Sequence, residues 1–316
     1  MLVVSTRPQE IMVEILTHHQ MTGEEPRIMS IAPSFNCMLK CEGCYLTTDV
    51  TKEMREATKP DYYWERAMEL GVQYGYTELA MTLNPYPGAI EHAIKLAKTA
   101  KKVGFETVNV TMTWKGDDWV KPFEELMQYV DIITESVDYL RRSYLADYLI
   151  ESDMADLADK HYNLNILWDR GLMEAWPYLD YPCGILQHEM RAFGETRHAF
   201  GDRSDMDATF TIQHLILKPL SLYGNFDFGK AYQEILETEL PIAGDGGLHV
   251  GDVAFGNLLG LNNCPGERMI DIDPMGLARR CPENPNAHDA TTLANLEKLL
   301  KNGIPGCGDA CDCITG

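Results

Sequence analysis

The stretch Ser34-Phe35-Asn36-Cys37-Met38-Leu39-Lys40-Cys41-Glu42-Gly43-Cys44-Tyr45 holds three cysteines in a C-x3-C-x2-C spacing. It follows the run Arg27 to Pro33 (RIMSIAP), which reads as a first β-strand, so the cysteines sit on a loop at a strand end. Three close thiolates on one loop suit a cubane [4Fe–4S] cluster, with one iron left open to another ligand. Two other readings stay open on spacing alone. A zinc site wants a fourth ligand and usually paired half-sites, and no His or Cys follows Cys44 for twenty residues. A disulfide cluster would require a secreted chain.

From that loop outward, the chain alternates. Asp61 to Val72 reads as a helix started by Pro60 and Asp61. Strands are expected at Thr77–Leu83, Thr107–Met112, Asp131–Val137, Leu164–Trp168 and Thr211–Leu217. Helices are expected at Ala89–Val103, closed by Gly104, at Trp119–Tyr129, from about Leu140 to His161, and at Phe228–Leu240. Residues 170–209 read as irregular, with a weak helix and loops. Strands separated by helices argue for βαβ units and a parallel sheet. The expected class is α/β, with six strands up to Leu217. No internal repeat or low-complexity tract is present.

Composition narrows the function classes. The 316 residues give room for one large domain and a small appendage, and 45% apolar residues supply a sizeable core. The formal charge of −21 argues against binding a polyanion through counterion release. Lys98, Lys101 and Lys102 are spaced like one solvated helix face. No run of eighteen apolar residues predicts a membrane span. The start, Met1 to Arg7, lacks the basic and long apolar regions of a signal peptide. Nine cysteines then point to metal ligation in a reducing, cytoplasmic compartment.

The cysteine loop closely resembles the signature of the radical S-adenosylmethionine (SAM) superfamily. The resemblance implies a partial (β/α)6 TIM-like barrel and a [4Fe–4S] cluster held by Cys37, Cys41 and Cys44. It implies SAM bound on the open iron, reductive cleavage of SAM to a 5′-deoxyadenosyl radical, and hydrogen abstraction from a substrate. It also implies an external flavodoxin- or ferredoxin-like reductant. In such barrels the site lies at the C-terminal ends of the strands. Many relatives carry Gly-Gly-Glu-Pro after the second strand; here Thr82-Leu83-Asn84-Pro85 keeps only the proline. Asn84 is open to two roles, a SAM contact in place of the glutamate or a plain turn residue. Glu135-Ser136-Val137-Asp138 resembles a Ser-Leu-Asp segment that contacts SAM, with Ser136 and Asp138 on one strand face. The other reading is a polar strand end. Relatives often have an aromatic residue before the third cysteine. Here Gly43 stands there and Tyr45 follows, so adenine contact is expected near Tyr45.

A second constellation lies near the C-terminus. Cys264 is followed by eleven residues, Gly276, four residues and Cys281, and then by Cys307, Cys311 and Cys313. Met269–Asp273 and Leu277–Arg279 read as short β segments around a turn, a hairpin that brings both flanking thiolates to one end. A helix is expected from Thr292 to Lys301. The spacing resembles the SPASM and twitch auxiliary-cluster regions, and five cysteines fit the shorter twitch type with one second [4Fe–4S] cluster. Cys264 and Cys281 are its expected ligands, completed by two of Cys307, Cys311 and Cys313. Structural zinc on the same thiolates is the alternative. The expected division is a lead-in at 1–26, a barrel at 27–245 and a cluster-binding subdomain at 246–316.

Cys183, in Tyr181-Pro182-Cys183-Gly184, is either a small packing residue or a hydrogen donor to a substrate radical. Tyr45, Tyr86, Tyr181 and His188 are further candidate donors. The substrate is a small molecule or a peptide. The 26-residue lead-in is short for the peptide-recognition domain that peptide-modifying maturases and epimerases carry, which favours a small molecule or a partner-delivered peptide. A non-catalytic iron–sulfur or zinc scaffold or sensor is the reading from another class.

Overall fold

The computed structural model describes residues 26–39, 46, 50–113, 120–137, 161–167, 207–213, 248–250, 268–281 and 286–305; for 120–121, 137 and the three strands between 161 and 250 it describes the backbone. The elements in chain order are β1 (Ile28–Ile31), α1 (Lys52–Glu56), α2 (Asp61–Gln73), β2 (Glu78–Leu83), α3 (Ala89–Val103), β3 (Thr107–Met112), α4 (Val120–Met127), β4 (Ile132–Val137), β5 (His161–Leu167), β6 (Asp207–Gln213), β7 (Leu248–Val250), β8 (Met269–Ile272), β9 (Leu277–Arg279), β10 (His288–Asp289) and α5 (Leu293–Asn302).

Among the described residues the strands form one sheet in the order β10-β9-β8-β1-β2-β3-β4-β5-β6-β7. Neighbours from β8 through β1 to β7 run parallel, as βαβ connections require. The hairpin β8–β9 and the pair β9–β10 are antiparallel. The architecture is the expected α/β partial barrel. Its strand β8 lies directly against β1, in register from Ile28↔Met269 to Ile31↔Ile272.

Alternation along each strand separates two faces. Met29, Ile31, Leu79, Met81, Leu83, Val108, Val110, Met112 and Ile133 are all buried and occupy one face. The helices cover that face. A Cβ built on Gly71 of α2 would stand 2.6 Å from Met29 Cε, and α3 lies over β2 and β3. α3 also packs against α2 and α4, and α5 against α2. Tyr63 and Trp64 of α2 pack edge to face, and Tyr63 Oη donates to Ala290 O at 2.5 Å, tying α2 to the C-terminal segment. Each fully buried apolar side chain of this layer contributes about 1.5–3 kcal/mol.

The opposite face lines the barrel interior. It carries Ser30, Ala80, Thr82, Asn109, Thr111, Thr134 and Ser136, which are register partners or lie two residues apart on their strands. The register continues this polar face through Asn163 and Asn165 of β5 and Thr209 and Thr211 of β6. Glu135 breaks the pattern, for it is a carboxylate in line with Leu83 and Met112 and is only 1% exposed.

Several elements begin or end away from their expected places. β5 starts at His161 and β6 spans Asp207–Gln213, four residues earlier than expected. Paired β5 and β6 keep Tyr162, Leu164 and Ile166 in line with Ala208, Phe210 and Ile212, so the period-two pattern of DATFTIQ outweighs the later apolar run. β7, β10 and α1 were not expected from sequence. The lysines of α3 do form a solvated face, with Lys98 paired to Glu125 and Lys101 to Asp131. No helix among the described residues is long and apolar enough to cross a membrane.

Candidate active site at the C-terminal strand ends

The chain leaves β1 at Ile31 and makes one further sheet contact, Ala32 N–H to Ile272 O at 3.0 Å. Ser34 and Phe35 then turn inward and are buried. Asn36 N–H donates to Ser34 Oγ at 3.0 Å, a local turn that delivers Cys37 half-buried at the strand end. Cys37 Sγ accepts the Leu39 N–H at 3.4 Å. That is the environment a thiolate ligand wants, because N–H donors stabilise the charged sulfur.

Two contacts bind this loop to the end of β2. Met38 N–H donates to Pro85 O at 2.8 Å, and Asn84 Nδ2 donates to Ser34 O at 3.0 Å. Asn84 therefore acts on the cysteine loop with its amide nitrogen, while the carbonyl end of the same side chain is the part suited to meet an ammonium group. Arg55 supports the loop from the other side, donating to Phe35 O at 3.0 Å.

A chain of polar side chains runs outward from Ser34. The Ser34 side chain hydrogen-bonds the Tyr86 phenol, and Tyr86 Oη lies 2.7 Å from His92 Nδ1. His92 Nε2 lies 3.0 Å from Asp61 Oδ1, and Lys95 Nζ donates to Asp61 Oδ2 at 2.7 Å. Nε2 meets Asp61 as a close contact without hydrogen-bond geometry, while Nδ1 hydrogen-bonds the Tyr86 phenol. Burial pushes the Tyr86 phenol up to about 12; the Ser34 bond opposes this and the Asp61 charge adds to it. Asp61 is held below its usual range, first by the Lys95 bond and then, against burial, by His92. Sequence reading singled out Tyr86 only as a candidate donor; its partners come from α2 and α3 and leave no local signal.

Inside the barrel, Thr134 Oγ1 donates to Asn109 Oδ1 at 3.3 Å, and Ser136 is half-buried on the same face of β4. Ser30 Oγ donates to Asp271 Oδ1 at 2.7 Å across the β1–β8 pair. Burial raises Asp271 to about 6, with the Ser30 bond and Arg279 acting the other way.

The β8–β9 hairpin forms as its sequence suggests. Asp273 Oδ1 accepts the N–H groups of Met275 and Leu277, both at 2.9 Å, and Oδ2 takes Arg279 at 3.1 Å. Gly276 closes the turn with φ +80°, a conformation that favours glycine. Because β8 runs parallel to β1, the turn lies at the same sheet end as the Cys37 loop. β9 then runs back, so Cys281, buried at 2% exposure, lies at the opposite end. There Arg280 Nε donates to Ile304 O at 2.8 Å, tying the residue before Cys281 to the segment leading to Cys307. A cavity of about 550 Å3 opens at that end, lined in part by Arg27, Tyr76, Arg280 and Lys301.

Cys41, Cys44, Tyr45, Asp138, Cys183, Cys264, Cys307, Cys311 and Cys313 lie outside the described residues, as do Tyr181, His188 and the lead-in up to residue 25. Among the described residues no group of three or more His, Cys, Asp or Glu is placed to hold a metal. Of the expected site residues, Cys37 and Asn84 are brought to one place, Ser136 stands on the barrel interior, and Cys281 lies at the far end.

No protein-family model and no curated protein matches the chain. In fold it is similar to Streptococcus suis SuiB, with TM-score 0.55 and 13% identity over 95% of this chain and 72% of SuiB. Further similarity extends to HydG, a maturase of the [FeFe]-hydrogenase, with TM-score 0.46 and 13% identity over 79% of this chain and 63% of HydG. It extends also to anSMEcpe, solved with bound AdoMet, with TM-score 0.43 and 15% identity over 81% of this chain and 74% of anSMEcpe. At these identities the likeness is one of fold.

Proposed function

We propose that the chain is a radical SAM enzyme whose first cluster is held by Cys37, Cys41 and Cys44. One observation carries this reading: the C-x3-C-x2-C loop leaves the C-terminal end of β1 in a partial barrel, and its first cysteine is seated there with an N–H donor on its sulfur. A [4Fe–4S] cluster and SAM bound there would supply a 5′-deoxyadenosyl radical for hydrogen abstraction. The chain's own residues orient that site. Asn84 and Pro85 fix the loop through Ser34 and Met38. Asn84 Oδ1, Ser136, Asp138 and the backbone near Tyr45 are the proposed SAM contacts.

Residues 246–316 are the proposed auxiliary subdomain after a barrel at 27–245. Cys264, Cys281 and two of Cys307, Cys311 and Cys313 would hold a second [4Fe–4S] cluster. The Arg280–Ile304 bond supports this grouping, because it draws the approach to Cys307 toward Cys281. The proposed partners are a flavodoxin- or ferredoxin-like reductant and a small-molecule or peptide substrate, in a reducing cytoplasmic compartment. Cys183 is proposed as a packing residue, with hydrogen donation as its alternative role.

Anaerobic reconstitution tests the reading. About eight irons and eight sulfides per chain are expected, falling to about half in the triple Cys37→Ala, Cys41→Ala, Cys44→Ala variant. Dithionite with SAM should release 5′-deoxyadenosine from the wild type and none from that variant. Bound SAM that is never cleaved would move the reading to a non-catalytic scaffold. About four irons plus one zinc would assign the C-terminal cysteines to zinc.

A further inference from the structure

We infer that the barrel interior is built to bind an uncharged polyhydroxy compound of the sugar or cyclitol class. This rests on the enzyme reading above and names its substrate class. Beside Ala80 and Ile132, which share the row of Asn109, the interior wall on β2, β3 and β4 is made by Thr82, Asn109, Thr111, Thr134 and Ser136. All are hydroxyls or an amide, and all but Thr134 are partly accessible. Each such group both donates and accepts hydrogen bonds, as a sugar hydroxyl does.

The charge inventory argues in the same direction. The whole chain carries 75 Lys, Arg, Asp and Glu side chains by its composition (27 basic plus 48 acidic), yet none stands among these five wall positions. Glu78 lies below them at the start of β2, where it bonds Asn109. On β5 to β7 the register partners include His161 and Asp207 at strand starts and His249 beside Thr211. Arg279, on the hairpin side of β1, is paired with Asp273. A phosphate or carboxylate ligand would therefore meet no cation among these positions, and an ammonium ligand only Glu78 and Asp271, carboxyls of the same face already bonded to Asn109 and Ser30. A charge buried without a partner is costly. No aromatic residue stands among the five positions to stack a nucleobase, which also argues against a nucleoside.

Size agrees. Neighbouring strands lie about 4.8 Å apart and alternate residues about 6.6 Å apart along a strand. The five positions fall in three rows across three strands and span roughly 10 by 13 Å, room for a sugar ring with its substituents.

Saturation-transfer NMR on the purified protein tests this without SAM or reductant. The probes are glucose and myo-inositol, their charged counterparts glucose 6-phosphate, glucuronate and glucosamine, and a capped Ala-Asn-Gly peptide amide. Binding of at least one neutral polyol at least tenfold tighter than the charged counterparts is expected. Thr111→Val, which removes one hydroxyl from the wall and preserves its shape, should weaken it at least fivefold while the circular dichroism spectrum stays that of the wild type. Preference for a charged counterpart or for the peptide, no binding of either polyol, or binding insensitive to Thr111→Val overturns the inference. Release of 5′-deoxyadenosine, measured separately, reports on the enzyme reading, so the two can fail independently.

Discussion

Gly276→Ala and Gly88→Ala place the same methyl group on two glycines of like conformation, φ +80° and φ +81°, in different surroundings. A Cβ on Gly88 meets nothing within 4 Å, whereas on Gly276 it would stand 3.2 Å from Ala290 O and 3.2 Å from Thr291 Cα. Lys59 Cε, at 2.8 Å, is the end of a flexible side chain and can swing aside. The backbone at 290–291 cannot do so without stretching the 3.0 Å bond from Ala290 N–H to Gly276 O. The left-handed conformation costs an alanine about 1–2 kcal/mol at either site, and the gain from a stiffer unfolded chain is common to both. Gly276→Ala adds crowding and one weakened hydrogen bond, about 2 kcal/mol more. Urea unfolding of both variants measures the difference. With a slope of about 3 kcal/mol/M, the midpoint of Gly276→Ala should fall about 0.7 M below that of Gly88→Ala. Midpoints within about 0.2 M of each other would refute the claim that the hairpin tip is locked against residues 290–291.

Burial pushes the Asp271 carboxyl up to about 6 in the folded chain, above its ordinary value of 3.8. Its contribution to stability is thus full below about pH 4 and lost as pH rises through about 6, on the order of 3 kcal/mol. Chemical denaturation at pH 4 and pH 7.5 should show Asp271→Asn gaining on the wild type by that order, and a constant difference would refute it. Tyr86→Phe deletes the hydroxyl between Ser34 and His92 and should cost about 1–2 kcal/mol of stability in urea titration; no loss would mean that the chain from Asp61 to Ser34 holds nothing. Asn84→Ala should weaken SAM binding by calorimetry roughly tenfold, the value of one charge-assisted hydrogen bond. Unchanged affinity would leave Asn84 with its bond to Ser34 alone.

The strands near the cysteine loop were legible because their alternation is clean. ELAMTL and TVNVTM each place every second residue in the apolar layer, and β2 and β3 end where the pattern ends. The helices α2 and α3 were legible from Pro60 and Gly104; α5 forms in its expected range, capped by Thr292, which accepts Asn295 N–H. α1 left no signal since none of its residues is buried, and a three-residue β7 is too short to show a period. The pairing of β8 with β1 could not be read at all. Alternation tells which face a residue takes, but not which distant strand lies beside it. The site divides in the same way. Cysteine spacing is local and was visible, while Tyr86, His92 and Asp61 meet only after two helices pack.

The β1–β8 pair also sets an order in time. Ser30 and Asp271 are 241 positions apart, so at ribosomal speeds of about 5–20 residues per second roughly 12–50 s separate their synthesis. Through that interval the strand that leads into the cysteine loop has one edge uncovered and Ser30 has no Asp271 to meet. An unpaired edge is where nascent chains associate wrongly. Stable seating of the loop that carries Cys37 is thereby deferred until nearly the whole described chain has been made.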